Sequence, residues 1–133
     1  MKTKSNQVEV HYISWGNITN DFSRGLWKEV LMLCEEPREV NSWREEVEWA
    51  IKRLKGKSLK SVILRVAWNA VVYFTWIERN KRIYQDKEGT LMQVMEQIKE
   101  VVRIRLIGLQ HVKFDSLNFT LYSSWSLKQS IFD

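Results

Sequence analysis

Disulfides, zinc cages and chains of tight turns all need residues that this sequence hardly has. Its 133 residues include one cysteine, one proline, five glycines and two histidines. A single cysteine makes no internal disulfide. Structural zinc takes four ligands, usually Cys and His pairs at short spacing, which Cys34, His11 and His111 do not supply. So few glycines and prolines disfavour a many-turned β sandwich and favour helix. The apolar runs are also short. From Val62 to Ile77 thirteen of sixteen residues are apolar, but Arg65 and Asn69 interrupt them. A membrane-spanning helix needs roughly 20 apolar residues, and a charge near mid-bilayer is costly. No membrane span is expected. Nor is there a secretory signal, a Ser/His/Asp order, a phosphate loop or an HExxH pair, so neither an enzyme nor a cofactor is expected.

What is present points to one helical domain. Hydrophobic residues make up 44% of the chain and there are seven tryptophans, enough for a sizeable core in a small protein. The net charge of +5 permits an anionic partner without demanding one. "NSWREEVEWAIKRLKG" pairs Ser42 with Glu45 as a capping box. Its apolar face is Trp43, Val47, Ala50, Ile51 and Leu54, and Gly56 is the expected stop. Thr90 and Gln93 open a second such helix, with Leu91, Val94, Met95, Ile98, Val101 and Val102 inward and Gly108 at its end. A helix from the expected cap Asp21 to near Pro37 turns Phe22, Leu26, Trp27, Val30 and Leu33 inward. Ser58 caps a long central helix over about 59–84. The expected fold is therefore all-α, a compact bundle of about four helices, with 21–133 as the domain. Residues 1–20 form an extension that offers little apolar cover beyond Tyr12, Ile13 and Trp15. The tail alternates at Leu117–Leu121, but a lone strand has no partner in a bundle. A short helix or a strap, with Trp125, Leu127, Ile131 and Phe132 over the core, is the preferred reading.

Several clusters are candidate sites. Lys52, Arg53, Lys55, Lys57 and Lys60 put five bases within nine residues at a helix–helix turn, a group that could grip phosphates. Arg79, Lys81 and Arg82 form a second basic group, which Arg103 and Arg105 would join, with Glu78 placed to pair with Arg82. For both groups a solvated helix end is the simpler account. Arg65, Asn69 and Tyr73 share one face of the central helix. They read as a buried polar network, Arg65 paired with Glu45, Glu46 or Glu48, in preference to the floor of a ligand pocket. Cys34 reads as a core residue, its thiol kept unreactive by Glu35 and Glu36.

"FSRGLWKEVLMLC", "SWREEVEWAIKRLKGKSLKSVILRVAWNAVVYFTWIERNKRIYQ", "QIKEVVRIRL" and "LYSSWSLKQSIF" together resemble the C-terminal end of plant LINE-type retrotransposon polyproteins, their reverse-transcriptase zinc-binding region. The most specific part is Ala67 to Ala70 with Trp76, Glu78 to Asn80, Arg82 and Tyr84. In that family the zinc ligands lie in a Cys-rich segment just upstream of the "FS..LW" motif. The residues in that place here, 1–20, hold no cysteine. The resemblance implies a basic remnant of a mobile element without its metal site or catalytic parts. It would be a non-enzymatic protein acting on another protein as a regulator, an interfering factor or a toxin-like element. The alternative is a sequence-nonspecific nucleic-acid-binding module. The apolar surface that lost its neighbours suggests a homodimer through Phe22, Leu26, Trp27 and Leu31, or through Trp125, Ile131 and Phe132. The expected location is intracellular, cytoplasmic or nuclear. A mitochondrial presequence is a weaker fit, because the lysine-bearing start lacks arginine and a clear apolar face.

Overall fold

The computed structural model describes residues 20–84 and 90–132. The extension over 1–19, with Tyr12, Ile13 and Trp15, and the side chains of Asp21 and Arg82 lie outside the described residues. The fold is an all-α bundle. Its elements are α1 (Asn20–Leu33), α2 (Trp43–Arg53), α3 (Leu59–Tyr84), α4 (Leu91–Arg105), α5 (Ser116–Ser124) and a final 3-10 turn (Gln129–Phe132). No strand occurs among the described residues, and Leu117–Leu121 is helical.

Ser42, Ser58 and Thr90 cap where the sequence put them, whereas the expected cap Asp21 already lies within α1, which starts at Asn20. The Glu45 N–H donates to Ser42 Oγ, and the Ser42 hydroxyl donates back to Glu45 Oε1. Thr90 and Gln93 close a full capping box, and the Ser61 N–H donates to Ser58 Oγ. The helix stops differ from expectation. Leu54 ends α2 at φ −90° and ψ 6°, and no described glycine has a positive φ. The left-handed stops use other residues, Glu35 at φ 59° and Ser126 at φ 54°. After α1 the Glu36 N–H donates to Leu31 O and the Glu35 N–H to Met32 O. After α5 the Leu127 N–H donates to Tyr122 O and the Ser126 N–H to Ser123 O. Both are Schellman closures in which glycine would carry less strain.

α3 packs against α1, α4 and α5, and α1 also meets α4. The core is Leu26, Trp27, Val30 and Leu31 of α1 against Ile63, Leu64, Ala67 and Val71 of α3. Val94, Met95, Ile98 and Val102 of α4 complete it, with Leu121, Trp125, Leu127 and Ile131 from the tail. Gly25 marks the closest approach of α1 and α4, where an added Cβ would stand 2.7 Å from Leu91 Cδ1. α3 is not apolar all round. Arg65, Asn69, Tyr73 and Trp76 face solvent, and Trp76 is 44% exposed. No helix among the described residues is long and apolar enough to cross a membrane.

α2 attaches through side chains. Its inward face is turned from the expected one: Glu46 and Ala50 are buried, while Ile51 is exposed. Trp43 stacks on Trp68 of α3 at 5.3 Å, and Trp68 meets Trp27 edge-on at 4.9 Å. Trp49 meets Trp27 at 6.1 Å. Under these rings lies the fully buried Glu46 carboxylate, which accepts from Trp27 Nε1 at 2.8 Å and from the Asn41 N–H at 2.9 Å. Arg38 grips both of its oxygens at 3.0 to 3.1 Å and lies over the Trp49 ring at 4.4 Å. A buried charge is tolerated only when paired and hydrogen-bonded in this way.

Candidate functional site

Three surfaces among the described residues stand out once the core is subtracted. The first is the α2–α3 turn. Lys52, Arg53, Lys55 and Lys57 are exposed, but the cluster is not uniform. Arg53 and Lys60 both pair with Glu36, Lys60 at 2.8 Å, and Lys60 also donates to Glu35 O. Burial alone would raise the Glu36 carboxyl, but Lys60, Arg53 and Arg38 together hold it below the usual carboxylate range. Lys52, Lys55 and Lys57 have no ion-pair partner among the described residues. In the second basic group the side chain of Arg82 and its expected pairing with Glu78 lie outside the described residues. Lys81 sits 3.6 Å from the buried Glu78, Arg103 pairs with Glu100, and Arg105 lines one groove with Arg65.

The second surface is a groove of about 560 Å3 between α3 and α4. Arg65, Asn69 and Tyr73 line it from α3, so the polar stripe is a groove wall and not a buried network. Arg65 forms no ion pair with Glu45, Glu46 or Glu48: Glu46 turns inward to Arg38 and Glu45 accepts from Ser42. Instead Arg65 Nη1 donates to Leu54 O and to Gly56 O at 3.1 Å, closing the end of α2. Val66, Ala70 and Val101 supply apolar surface, and Phe74 meets Tyr73 edge-on at 5.2 Å. Arg105 of α4 adds a second guanidinium. The sequence places Arg65, Asn69 and Tyr73 on one face but does not join them to Arg105. That step needs the antiparallel pairing of α3 and α4.

The third surface is a ring cluster in the tail. Phe114 meets Phe132 at 4.9 Å and Phe119 at 5.8 Å. Tyr122 meets Phe132 at 5.5 Å and Phe119 at 5.6 Å. Phe114 is 68% exposed, Phe119 47% and the adjacent Leu117 41%. The main-chain bond from the Val112 N–H to Ile131 O holds the two ends of this segment together. The dimer contacts expected from sequence lie elsewhere and mostly inside. Leu26, Trp27, Leu31, Trp125 and Ile131 are buried in the core, and Phe22 is packed against it. Of that set only Phe132 borders the exposed ring cluster. The α1 residues are the ones its helical period already turns inward, and α3, α4 and the tail close over them in one core.

Cys34 is buried in the core, and its thiol is pushed up to about 12. Burial is the main cause, while Glu36 and Glu35 contribute least. No group of three or more His, Cys, Asp or Glu side chains able to hold a metal ion occurs among the described residues. No family model, no curated protein and no solved structure matches this chain.

Proposed function

We propose that this chain is a non-catalytic, retrotransposon-derived protein that acts by binding protein, in the first place a second copy of itself. The observation that carries the reading is the exposed ring cluster of Phe114 and Phe119 beside Leu117 and Phe132. Large aromatics in contact with one another on a surface are typical anchors of interfaces. A two-fold pairing would bury the same rings on both copies. The origin rests on the sequence resemblance. The proposal sets the site of action inside the cell, in cytoplasm or nucleus, as the resemblance implies.

Light scattering tests it. Wild-type protein is expected at about twice its 16.0 kDa chain mass, and Phe114→Asp with Phe119→Asp at the chain mass itself, with an unchanged helical spectrum. A wild-type monomer at high concentration, or a dimer that survives both substitutions, overturns it. A second reading, binding of nucleic-acid backbones, is favoured by Lys52, Lys55 and Lys57, exposed and without ion-pair partners among the described residues. A salt series on labelled DNA and RNA tests that reading, because phosphate contacts make affinity fall steeply with salt.

A further inference from the structure

The groove between α3 and α4 carries two positive forks and no carboxylate among its lining residues. Arg65 has only Nη1 engaged, and by neutral carbonyls, so Nη2 and Nε remain as donors and the charge stays uncompensated. Arg105 is exposed and has no ion-pair partner among the described residues. Planar guanidinium forks match the oxygens of a phosphate. The rest of the lining asks for something else. Val66, Ala70 and Val101 are apolar, Tyr73 is 56% exposed and offers a ring face, and Asn69 offers an amide that both donates and accepts. A bare anion would leave the rings and the apolar floor unused, and an apolar molecule would strand the guanidiniums. The volume falls within the range of roughly 300 to 1,000 Å3 that small-molecule clefts show.

We infer that this groove binds a nucleotide, its phosphate on Arg65 and Arg105 and its base against Tyr73 and Asn69, either free or within a single strand. A duplex hides its bases in the stack, whereas a single strand or a free nucleotide presents a ring face to an aromatic side chain. The Leu54 and Gly56 carbonyls place the Arg65 guanidinium at the turn that carries Lys55 and Lys57. A strand leaving the groove there would meet further positive charge for its next phosphates. The inference deepens the nucleic-acid reading above and rests on it in part, but it assigns the contact to a different set of residues.

The test measures binding of a labelled short oligothymidylate by anisotropy and of adenosine monophosphate by calorimetry. Arg105→Glu is the main variant, since Arg105 is exposed and its side chain makes no hydrogen bond or ion pair among the described residues. Lys128→Glu, at an exposed residue that does not line the groove, is the control with the same change of charge. Arg105→Glu is expected to weaken binding about tenfold or more, the loss of a charge-assisted contact, and Lys128→Glu by less than about twofold. Tyr73→Ala is expected to weaken it about fivefold without changing the salt slope. Mononucleotide binding that Arg105→Glu abolishes supports the groove with a free nucleotide as its ligand, even if no strand binds and the nucleic-acid reading fails. Binding of the strand alone, with the same sensitivity, supports the strand. Equal losses from Arg105→Glu and Lys128→Glu overturn the groove. So does strand binding that Lys55→Glu with Lys57→Glu abolishes while Arg105→Glu leaves it intact, a result that spares the basic turn. Wild-type protein that binds neither probe overturns both.

Discussion

Trp27 and Phe119 each belong to a cluster of four aromatic rings, and the two clusters have opposite relations to water. Around Trp27, the rings of Trp43, Trp49 and Trp68 close over Glu46, and Trp27 itself is fully buried. Around Phe119, the rings of Phe114, Tyr122 and Phe132 touch in much the same way, yet Phe114 and Phe119 remain largely in solvent. Ring contact alone does not decide which becomes core. The tryptophan cluster has a polar anchor. Glu46 satisfies the Trp27 N–H, the Asn41 N–H and Arg38 at once, tying α1, α2 and the loop between them to a single carboxylate. Phenylalanine has no such handle. Tyr122 and Phe132 rest against the core, while Phe114 and Phe119 stay exposed on the outer side of the cluster. The first set specifies the structure and the second is left for a partner.

The largest expected effect lies in the anchored cluster. Glu46→Ala leaves the Arg38 guanidinium and two N–H groups without their acceptor, and is expected to cost about 3–5 kcal/mol of stability by chemical denaturation. Phe119→Ala, on the exposed cluster, is expected to stay within about 1 kcal/mol for the monomer. Similar losses at the two positions would erase the contrast. Next comes a pair on one helix. Trp68→Ala opens the stack between Trp43 and Trp27 and is expected to cost about 3 kcal/mol, whereas the exposed Trp76 is expected to lose less than about 1 kcal/mol on the same change. The sequence alone ranks these two tryptophans equally, so their thermal midpoints separate burial from composition.

Acid titration sharpens the picture of the α1–α2 loop. The folded Glu36 carboxyl is held below its ordinary value of 4.5. Its contribution is therefore present above that ordinary value and is lost as pH falls through the lower folded value. Glu36→Gln is expected to be less stable than wild type at neutral pH, with the gap closing below about pH 4. A gap independent of pH would mean that Lys60 and Arg53 do not act on this group. The smallest effect is local. Glu35 closes α1 at a positive φ, so Glu35→Gly relieves about 1–2 kcal/mol of strain against about 0.4–1 of added chain entropy. A net gain of about 0.5 kcal/mol in the denaturation midpoint is expected.

Much of the helical layout was legible because it is written locally. Ser42, Ser58 and Thr90 mark helix starts by a side-chain acceptor three residues before the N–H it binds, and the inward face of α4 follows a 3.6-residue period. The face of α2 was misread for a physical reason. Glu46 shares the stripe of Trp43, Trp49 and Ala50, but in "WREEVEWA" it looks like one more acid favoured by the helix dipole. The signal that could have found it is an acid spaced three residues from a tryptophan on each side. Its partner Arg38 lies in a loop, where no period points to it. The groove escaped for a similar reason. Arg65 and Arg105 are forty residues apart and meet only through helix pairing. The expected dimer contacts failed because periodicity tells which residues are apolar, and only the packing of the tail tells which of them are covered.

Amide hydrogen exchange at low and high protein concentration tests the contrast between the two clusters most directly. Amides of Asn41 and of the α2 residues around Glu46 are expected to exchange only through global unfolding, at rates that do not change with concentration. Amides from Leu117 to Tyr122 are expected to exchange by local opening when dilute and to gain protection as concentration rises and the ring cluster is covered. Protection of Leu117 to Tyr122 that is the same at both concentrations, or local opening around Glu46, would contradict the division between an anchored cluster that builds the fold and an exposed one that serves a partner.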